Sequence, residues 1–453
     1  MPKRIVVIGG VAAGPSAAAK AKRTNPDCDV VLFEQNEHIS YGVCEIPYYI
    51  GGDVEQSRLV SNTPAQLRER KGVEVRVLHR VEEILPAKKK LIVRDIALAK
   101  LREEPYDRLI LATGSRPKRL GVDGEDARSI FIVKALEDAY RLYEYIKSEK
   151  PKHAVIIGGG YIGMEMAEAL RSRSLDVTIL HRHNLPMHGL EKETQEWILR
   201  ELAMNDVQFI GEATTEGFVV DKLKRVSHVV TKDGSFKTDL VILALGVLPN
   251  SEIAQKAGIR IGTTGGIRTD QRQETNCDNI YAAGDCCEVK NLVNDKPSYI
   301  PLATIGSKQG WVAGENAAGG SAAFRGAIRS IAVKVFGIEV ARVGLSSEEA
   351  RASGFDVVTE SVSAWSKVAM MPGSAKLSIT MIADRRTKRL LGVNMIGSDG
   401  VVLRANTFAV AIQNKMSISD IQQWDLAYSP PFTPLWDPIL VAANATSRKL
   451  SKP

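Results

Sequence analysis

The sequence predicts an α/β protein with two nucleotide-binding units and an α+β C-terminal domain. Three observations carry this expectation. At residues 5–23 and again at 154–170, an apolar strand runs into a glycine turn and then a helix. Each of these units is followed by a second buried strand that also ends in a glycine turn, at 108–117 and 240–250. A small-residue stretch, NAAGGSAAFRG at 316–326, then sets off a last segment with strands and a helix of its own. A chain of 453 residues has room for three such domains.

The first unit reads IVVIGGVAAGPSAAAKAKR. Its four leading apolar residues suit a buried parallel strand. The turn runs through Gly9, Val11, Ala12, Ala13 and Gly14, with valine where a third glycine is expected. Small residues there let the backbone approach a pyrophosphate, and the helix N-terminus offers free N–H groups. The next strand, DVVLFEQ, ends in Glu34 and Gln35. A carboxylate at that place accepts hydrogen bonds from an adenosine ribose.

The second unit, AVIIGGGYIGMEMAEAL, fits GxGxxG at Gly158, Gly160 and Gly163, with Tyr161 and Ile162 between them. The following strand, DVTIL, ends in HRHN at 181–184. An NADH site would normally carry an acidic residue here. The sequence supplies His181, Arg182 and His183 instead. A carboxylate repels a 2′-phosphate, whereas an arginine pairs with one, so NADPH is expected, with NADH as the alternative. Two Rossmann-like units on one chain point to FAD and a nicotinamide joined by hydride transfer. Three further turns fit: Thr113 and Gly114 in ATGSRP, Gly246 in LALGVLPN, and Gly284-Asp285 in IYAAGD. The last is expected near the ribitol or phosphates of FAD. Cys286 and Cys287 beside it are expected to be packing residues.

Composition narrows the function classes. The net charge of +7 comes from lysines and arginines scattered along the chain. That argues for a solvated surface rather than nucleic-acid binding, and it suits a phosphate-bearing substrate or cofactor. Five irregularly spaced cysteines do not make a disulfide framework, and no CxxC pair occurs. The seven histidines show no zinc-finger spacing, so no metal is expected. No apolar run of about 18 residues is present, so no membrane span is expected. The start, MPKRIVVIGG, reads as a first strand and not as a signal peptide, which makes the expected location cytoplasmic.

The stretch SYGVCEIPYYIGG at 40–52 holds one cysteine, Cys44. With both glycine turns, ATGSRP, IYAAGD and the C-terminal LAYSPPFTPLWDPI, it makes the chain resemble the flavin-dependent pyridine nucleotide–disulfide oxidoreductases. Within them it is similar to the single-cysteine branch of coenzyme A disulfide reductases, NAD(P)H persulfide or polysulfide reductases, and NADH oxidases and peroxidases. The resemblance implies a discontinuous FAD domain at 1–150 and 247–322, an NAD(P) domain at 151–246, and an interface domain at 323–453 that makes a homodimer. It also implies that two electrons from NADPH pass through FAD to a mixed disulfide on Cys44. Tyr428 of the other subunit would then protonate the leaving thiolate.

Coenzyme A disulfide is the substrate expected first. Ser40, Lys20, Arg23 and Lys71 are candidates to meet it, with Arg80 nearby, and no rhodanese-like segment is seen in the chain. Any sulfur-transfer partner is therefore expected to be a separate protein. A helix begun by EIPYYIGG is expected to lower the Cys44 pKa. Three departures bear on the substrate: Val43 stands where asparagine is common, Met370 and Met371 where a tyrosine is expected, and Glu45 follows the cysteine. A persulfide or polysulfide is thus a second candidate. An oxygen-reducing oxidase and a non-catalytic, flavin-bound regulatory protein are the remaining alternatives.

Overall fold

A computed structural model describes residues 3–452. The first sheet is parallel. Its strand order is Ile280–Ala282, Arg108–Leu111, Arg4–Ile8, Asp29–Phe33 and Glu74–Arg76. The central strand is wholly apolar after Arg4 and buried on both sides, as a parallel strand covered by helices must be. The strands at 280 and 108 come from distant parts of the chain and pair in register.

The second sheet repeats this plan. Its order is Val207–Ile210, Asp176–Leu180, His153–Ile157, Leu240–Leu243 and Ile130–Ile132, again all parallel. Ile130–Ile132 lies ahead of the expected boundary at 151. The helix that follows it, Leu136–Glu149, buries Leu136, Ala139 and Leu142 in the same core as Ala154 and Ile156. The second unit therefore draws on residues well before its glycine turn. Three such edge residues carry too little local pattern to reveal which sheet they join. An antiparallel three-stranded appendage accompanies each sheet, at His79–Pro105 and Thr215–Lys237.

The C-terminal unit is a five-stranded antiparallel sheet in the order Ser330–Val335, Ile338–Gly344, Leu390–Gly397, Lys376–Asp384 and Val357–Trp365. The helices Val401–Gln413 and Pro438–Leu450 cover it. The pairing of KLSITMIAD with LLGVNMIG and the helix at VVLRANTF follow the sequence pattern. Among the described residues, no helix is long and apolar enough to cross a bilayer.

The helix after the first glycine turn, Ala13–Thr24, lies against Ala303–Ala317. A Cβ on Gly310 would stand 2.2 Å from the Ala13 carbonyl oxygen, and one on Gly314 would stand 2.1 Å from that of Ala17. Neither atom is a flexible side-chain end. Gly314→Ala is therefore expected to push the helices apart and to cost about 1–3 kcal/mol. Urea denaturation checks this, and an unchanged midpoint would show that the pair has slack.

Candidate active site

Both glycine turns close on their own backbone. A Cβ on Gly14 would lie 1.8 Å from the Gly9 carbonyl oxygen, and one on Gly163 would lie 2.0 Å from that of Gly158. This brings each helix N-terminus against its strand, with Val11, Ala12 and Ala13 forming the first bend and Tyr161 and Ile162 opening the second helix.

What sits opposite each turn differs. Glu34 is buried at the end of its strand, and its Oε2 accepts from the Gly10 N–H at 2.7 Å while Oε1 accepts from Asn36 N–H at 2.9 Å. Burial pushes its carboxyl above the usual range. At the equivalent place in the second unit, His181 Nδ1 accepts from the Gly159 N–H at 3.0 Å. A neutral ring thus does the backbone-holding work of the carboxylate. Its acceptor nitrogen puts the proton on Nε2, which is buried without a partner. Burial first, then His183, Arg182 and His188, pushes the His181 pKa down to about 4. Arg182 is exposed and donates from Nε to His183 Nε2 at 3.1 Å. The His183 ring stacks on His188 with centroids 4.3 Å apart.

The paired turns meet in space. Ser115–Pro117 and Val247–Pro249 form an antiparallel bridge. Thr113 Oγ1 donates to Asn250 O at 2.7 Å, Asn250 returns a bond to Thr113 O at 2.9 Å, and Asn250 N–H reaches Gly114 O at 3.0 Å. Gly246 opens the returning strand. Asp285, after Gly284, accepts from Ser115 Oγ at 2.9 Å and lies 3.4 Å from Lys134 Nζ. Cys286 and Cys287 are buried in the first core with sulfurs 3.7 Å apart.

Cys44 precedes the short helix Ile46–Gly51, which packs on the glycine-turn helix Tyr161–Ser172 of the second unit. Arg173 fixes that contact by donating to Ile50 O at 2.7 Å. Of the five cysteines Cys44 is the exposed one, but protein crowding around it raises its thiol, and Glu165 and Glu45 raise it further while Lys134 opposes them. The expectation of a lowered pKa is therefore corrected. The helix is a single short turn and a half, and the Glu45 carboxylate folds back over Gly42 beside the cysteine. Glu165 was not foreseen. It stands on the second unit's glycine-turn helix, two residues past the motif, and burial with Glu168 lifts its pKa to about 7. Together with Lys134, it reaches Cys44 from sequence far away, which no local signal announces.

The substrate candidates are placed unevenly. Ser40 has a φ of 50°, and its Oγ is buried without a partner. Lys20 is engaged with Glu315 at 2.8 Å and lies 4.0 Å over the Trp311 ring. Arg23 and Lys71 are exposed, as is Gln35, and Arg80 pairs with Glu82 at 2.8 Å. Tyr428 is 50% exposed on the C-terminal unit, next to Phe432 at 77%, Leu435 at 71% and Trp436 at 59%. Met370 is exposed as well. An anchored Glu34, a tightly closed first turn and the orphaned Ser40 hydroxyl fit a bound FAD.

Glu165 sets a pH-dependent charge at the thiol. As pH rises through about 7 it ionises and disfavours the neighbouring thiolate. Iodoacetamide labelling of Cys44 is expected to titrate above an ordinary thiol, and Glu165→Gln is expected to lower that midpoint. An unmoved midpoint would show that the carboxylate does not act on Cys44.

Residues 3–310 match the family described as pyridine nucleotide-disulphide oxidoreductase, and residues 330–437 match its dimerisation domain. The chain is 34% identical over 451 residues to an NAD(P)H coenzyme A polysulfide/persulfide reductase of Pyrococcus horikoshii, covering 98% of each. It resembles the solved structure of reduced CoADR-RHD from Bacillus anthracis, with TM-score 0.96 and 31% identity over 99% of this chain and 81% of that one. It also resembles an engineered water-forming NADPH oxidase bound to NADPH, made from the Lactobacillus brevis NADH oxidase. There the TM-score is 0.94 and the identity 28%, over 99% of each chain. The chain belongs to the pyridine nucleotide-disulphide oxidoreductases.

Proposed function

We propose that this protein uses FAD and NADPH to reduce a small disulfide or persulfide, coenzyme A disulfide or persulfide first, through a mixed disulfide on Cys44. The observation that carries the reading is Cys44 itself: the exposed cysteine of the chain, just ahead of the helix that packs against the second nucleotide unit. The polysulfide/persulfide reductase of Pyrococcus horikoshii supports the sulfur substrate.

Bound FAD would carry two electrons from the nicotinamide to sulfur, held by the first glycine turn, Glu34, Ser40 and Asp285. The chain's own residues then act on the sulfur. The Cys44 thiolate attacks a sulfur of R–S–S–R, and the S–S bond breaks as Cys44–S–S–R forms. The departing RS⁻ takes a proton. Two electrons and a second proton would cleave the mixed disulfide to RSH and the Cys44 thiolate, ready for the next substrate. Lys134 favours the thiolate, and Glu165 near its midpoint holds a proton close by. In a homodimer Tyr428 of the second copy would donate the proton to RS⁻, and the exposed Phe432, Leu435 and Trp436 would be covered. The second unit favours NADPH because its acidic position is His181 and Arg182 adjoins it. The engineered NADPH oxidase of the same fold differs from its parent by loss of an aspartate and gain of two arginines, among other changes.

Anaerobic oxidation of NADPH with coenzyme A disulfide tests the reading. Activity is expected, Cys44→Ser is expected to abolish it, and Tyr428→Phe is expected to lower kcat by about a hundredfold. Oxidation that needs oxygen and survives Cys44→Ser would establish an oxidase instead. Arg182→Ala is expected to raise KM for NADPH by about tenfold with little change for NADH. Equal effects on both would remove the NADPH preference.

A further inference from the structure

We propose that His183 and His188, with Arg182, form a proton-linked subsite for the 2′-phosphate of NADPH, so that preference for NADPH over NADH strengthens as pH falls. The inference rests on NADPH as donor, and it assigns to two histidines a role that the sequence pattern gave only to Arg182.

The geometry has three parts. First, His181 is removed from the titration. Its Nδ1 is committed to the Gly159 N–H at 3.0 Å, so it stays a neutral acceptor and leaves no carboxylate to repel a phosphate. Second, His183 and His188 stack at 4.3 Å with rings 11° from parallel, and both reach the surface. Third, Arg182 Nε donates to His183 Nε2 at 3.1 Å. That bond requires a neutral His183 with its proton on Nδ1. Two imidazoliums at stacking distance beside a guanidinium repel one another, which disfavours charging His183 in the free protein. Burial, His188 and Arg182 all push the His183 pKa down.

A dianionic phosphate reverses this balance. It attracts each cation and screens their mutual repulsion, so binding draws a proton onto the pair. The strand Val207–Ile210 presents Phe209 to His181 with centroids 6.0 Å apart. Glu212 meets His183 through the backbone, its N–H donating to His183 O at 3.3 Å, and its side chain is exposed. From the C-terminal unit, Arg342 donates to Gly189 O at 2.9 Å, beside His188, and Glu349 pairs with Arg342. Of these two acidic residues, Glu349 is already matched by Arg342, and Glu212 is held in solvent.

The test compares 2′,5′-ADP with 5′-AMP, which differs from it only in lacking the 2′-phosphate, on the FAD-loaded full chain. Above pH 7 the phosphate stays dianionic, so any slope belongs to the protein. The ratio of the two affinities is expected to fall by up to about tenfold per pH unit between pH 7 and 8.5, the limit for one linked proton. Proton uptake on adding 2′,5′-ADP in weak buffer is expected from the unaltered protein. In a His183→Gln, His188→Gln variant both signals are expected to disappear, with the ratio at pH 7 dropped to the level that the unaltered protein shows at pH 8.5. A pH-independent preference for 2′,5′-ADP with no proton uptake, or a slope kept in the variant, would overturn the proposal while leaving NADPH as donor. Equal binding of the two ligands at every pH would overturn the NADPH preference as well, and the Cys44 chemistry would still be tested separately by its own assay.

Discussion

The approach of each glycine-turn helix to its strand depends on a contact that no side chain tolerates. The 1.8 Å and 2.0 Å clashes that Cβ atoms would make at Gly14 and Gly163 are with backbone, which cannot swing aside. Because the helices sit that close, their first N–H groups face the ends of the parallel strands, the arrangement by which such turns hold nucleotide phosphates. The same closeness puts Gly10 and Gly159 within reach of the residue that ends the neighbouring strand. The identity of that residue, Glu34 in one unit and His181 in the other, then becomes the chemical difference between two otherwise repeated architectures. The fold repeats a backbone device and varies one acceptor.

That device was legible in the sequence because it is local. Strand, glycine spacing and helix lie within a few residues of one another, and periodicity reports them directly. The C-terminal strands and helix were legible for the same reason. Ile130–Ile132 was not, because a three-residue strand takes its sheet from partners more than 100 residues away. Lys134 and Glu165 were missed as neighbours of Cys44 on the same ground. Glu165 belongs to a helix whose own pattern is satisfied without reference to Cys44, and Lys134 lies in the bend before Leu136–Glu149; the packing of Ile46–Gly51 against Tyr161–Ser172 and against Leu136–Glu149 brings their charges to bear. His183 and His188 are five positions apart in an irregular loop, so no helical or strand period foretells their stacking.

The pKa of Cys44 shows how a local rule loses to its surroundings. A helix N-terminus favours a thiolate, but Ile46–Gly51 is short and the field of its few peptide dipoles is small. Loss of solvent around the sulfur and the carboxylates of Glu165 and Glu45 act in the opposite direction and win. The carboxylates are also unequal. Glu165, buried, changes charge near neutrality, so it is a variable term. Glu45, exposed, lies beside the cysteine in the chain.

A raised thiol pKa is a graded handicap for disulfide exchange, not a bar. Each unit of increase above ambient pH removes about nine-tenths of the thiolate, yet it makes the remaining thiolate about threefold more nucleophilic, because rates follow basicity with a slope near 0.4–0.5. The net loss is therefore about threefold per unit. Two features set how far this matters. A substrate whose leaving sulfur has a low pKa departs more readily and compensates for scarce thiolate, which favours persulfides over ordinary alkyl disulfides. A cation near the sulfur restores thiolate directly, and Lys134 is that cation here, shared with Asp285 at 3.4 Å. Asp285 itself raises the thiol, so the two members of that contact act on the sulfur with opposite signs, and their net field at Cys44 is the difference between an ammonium that favours the thiolate and a carboxylate that opposes it.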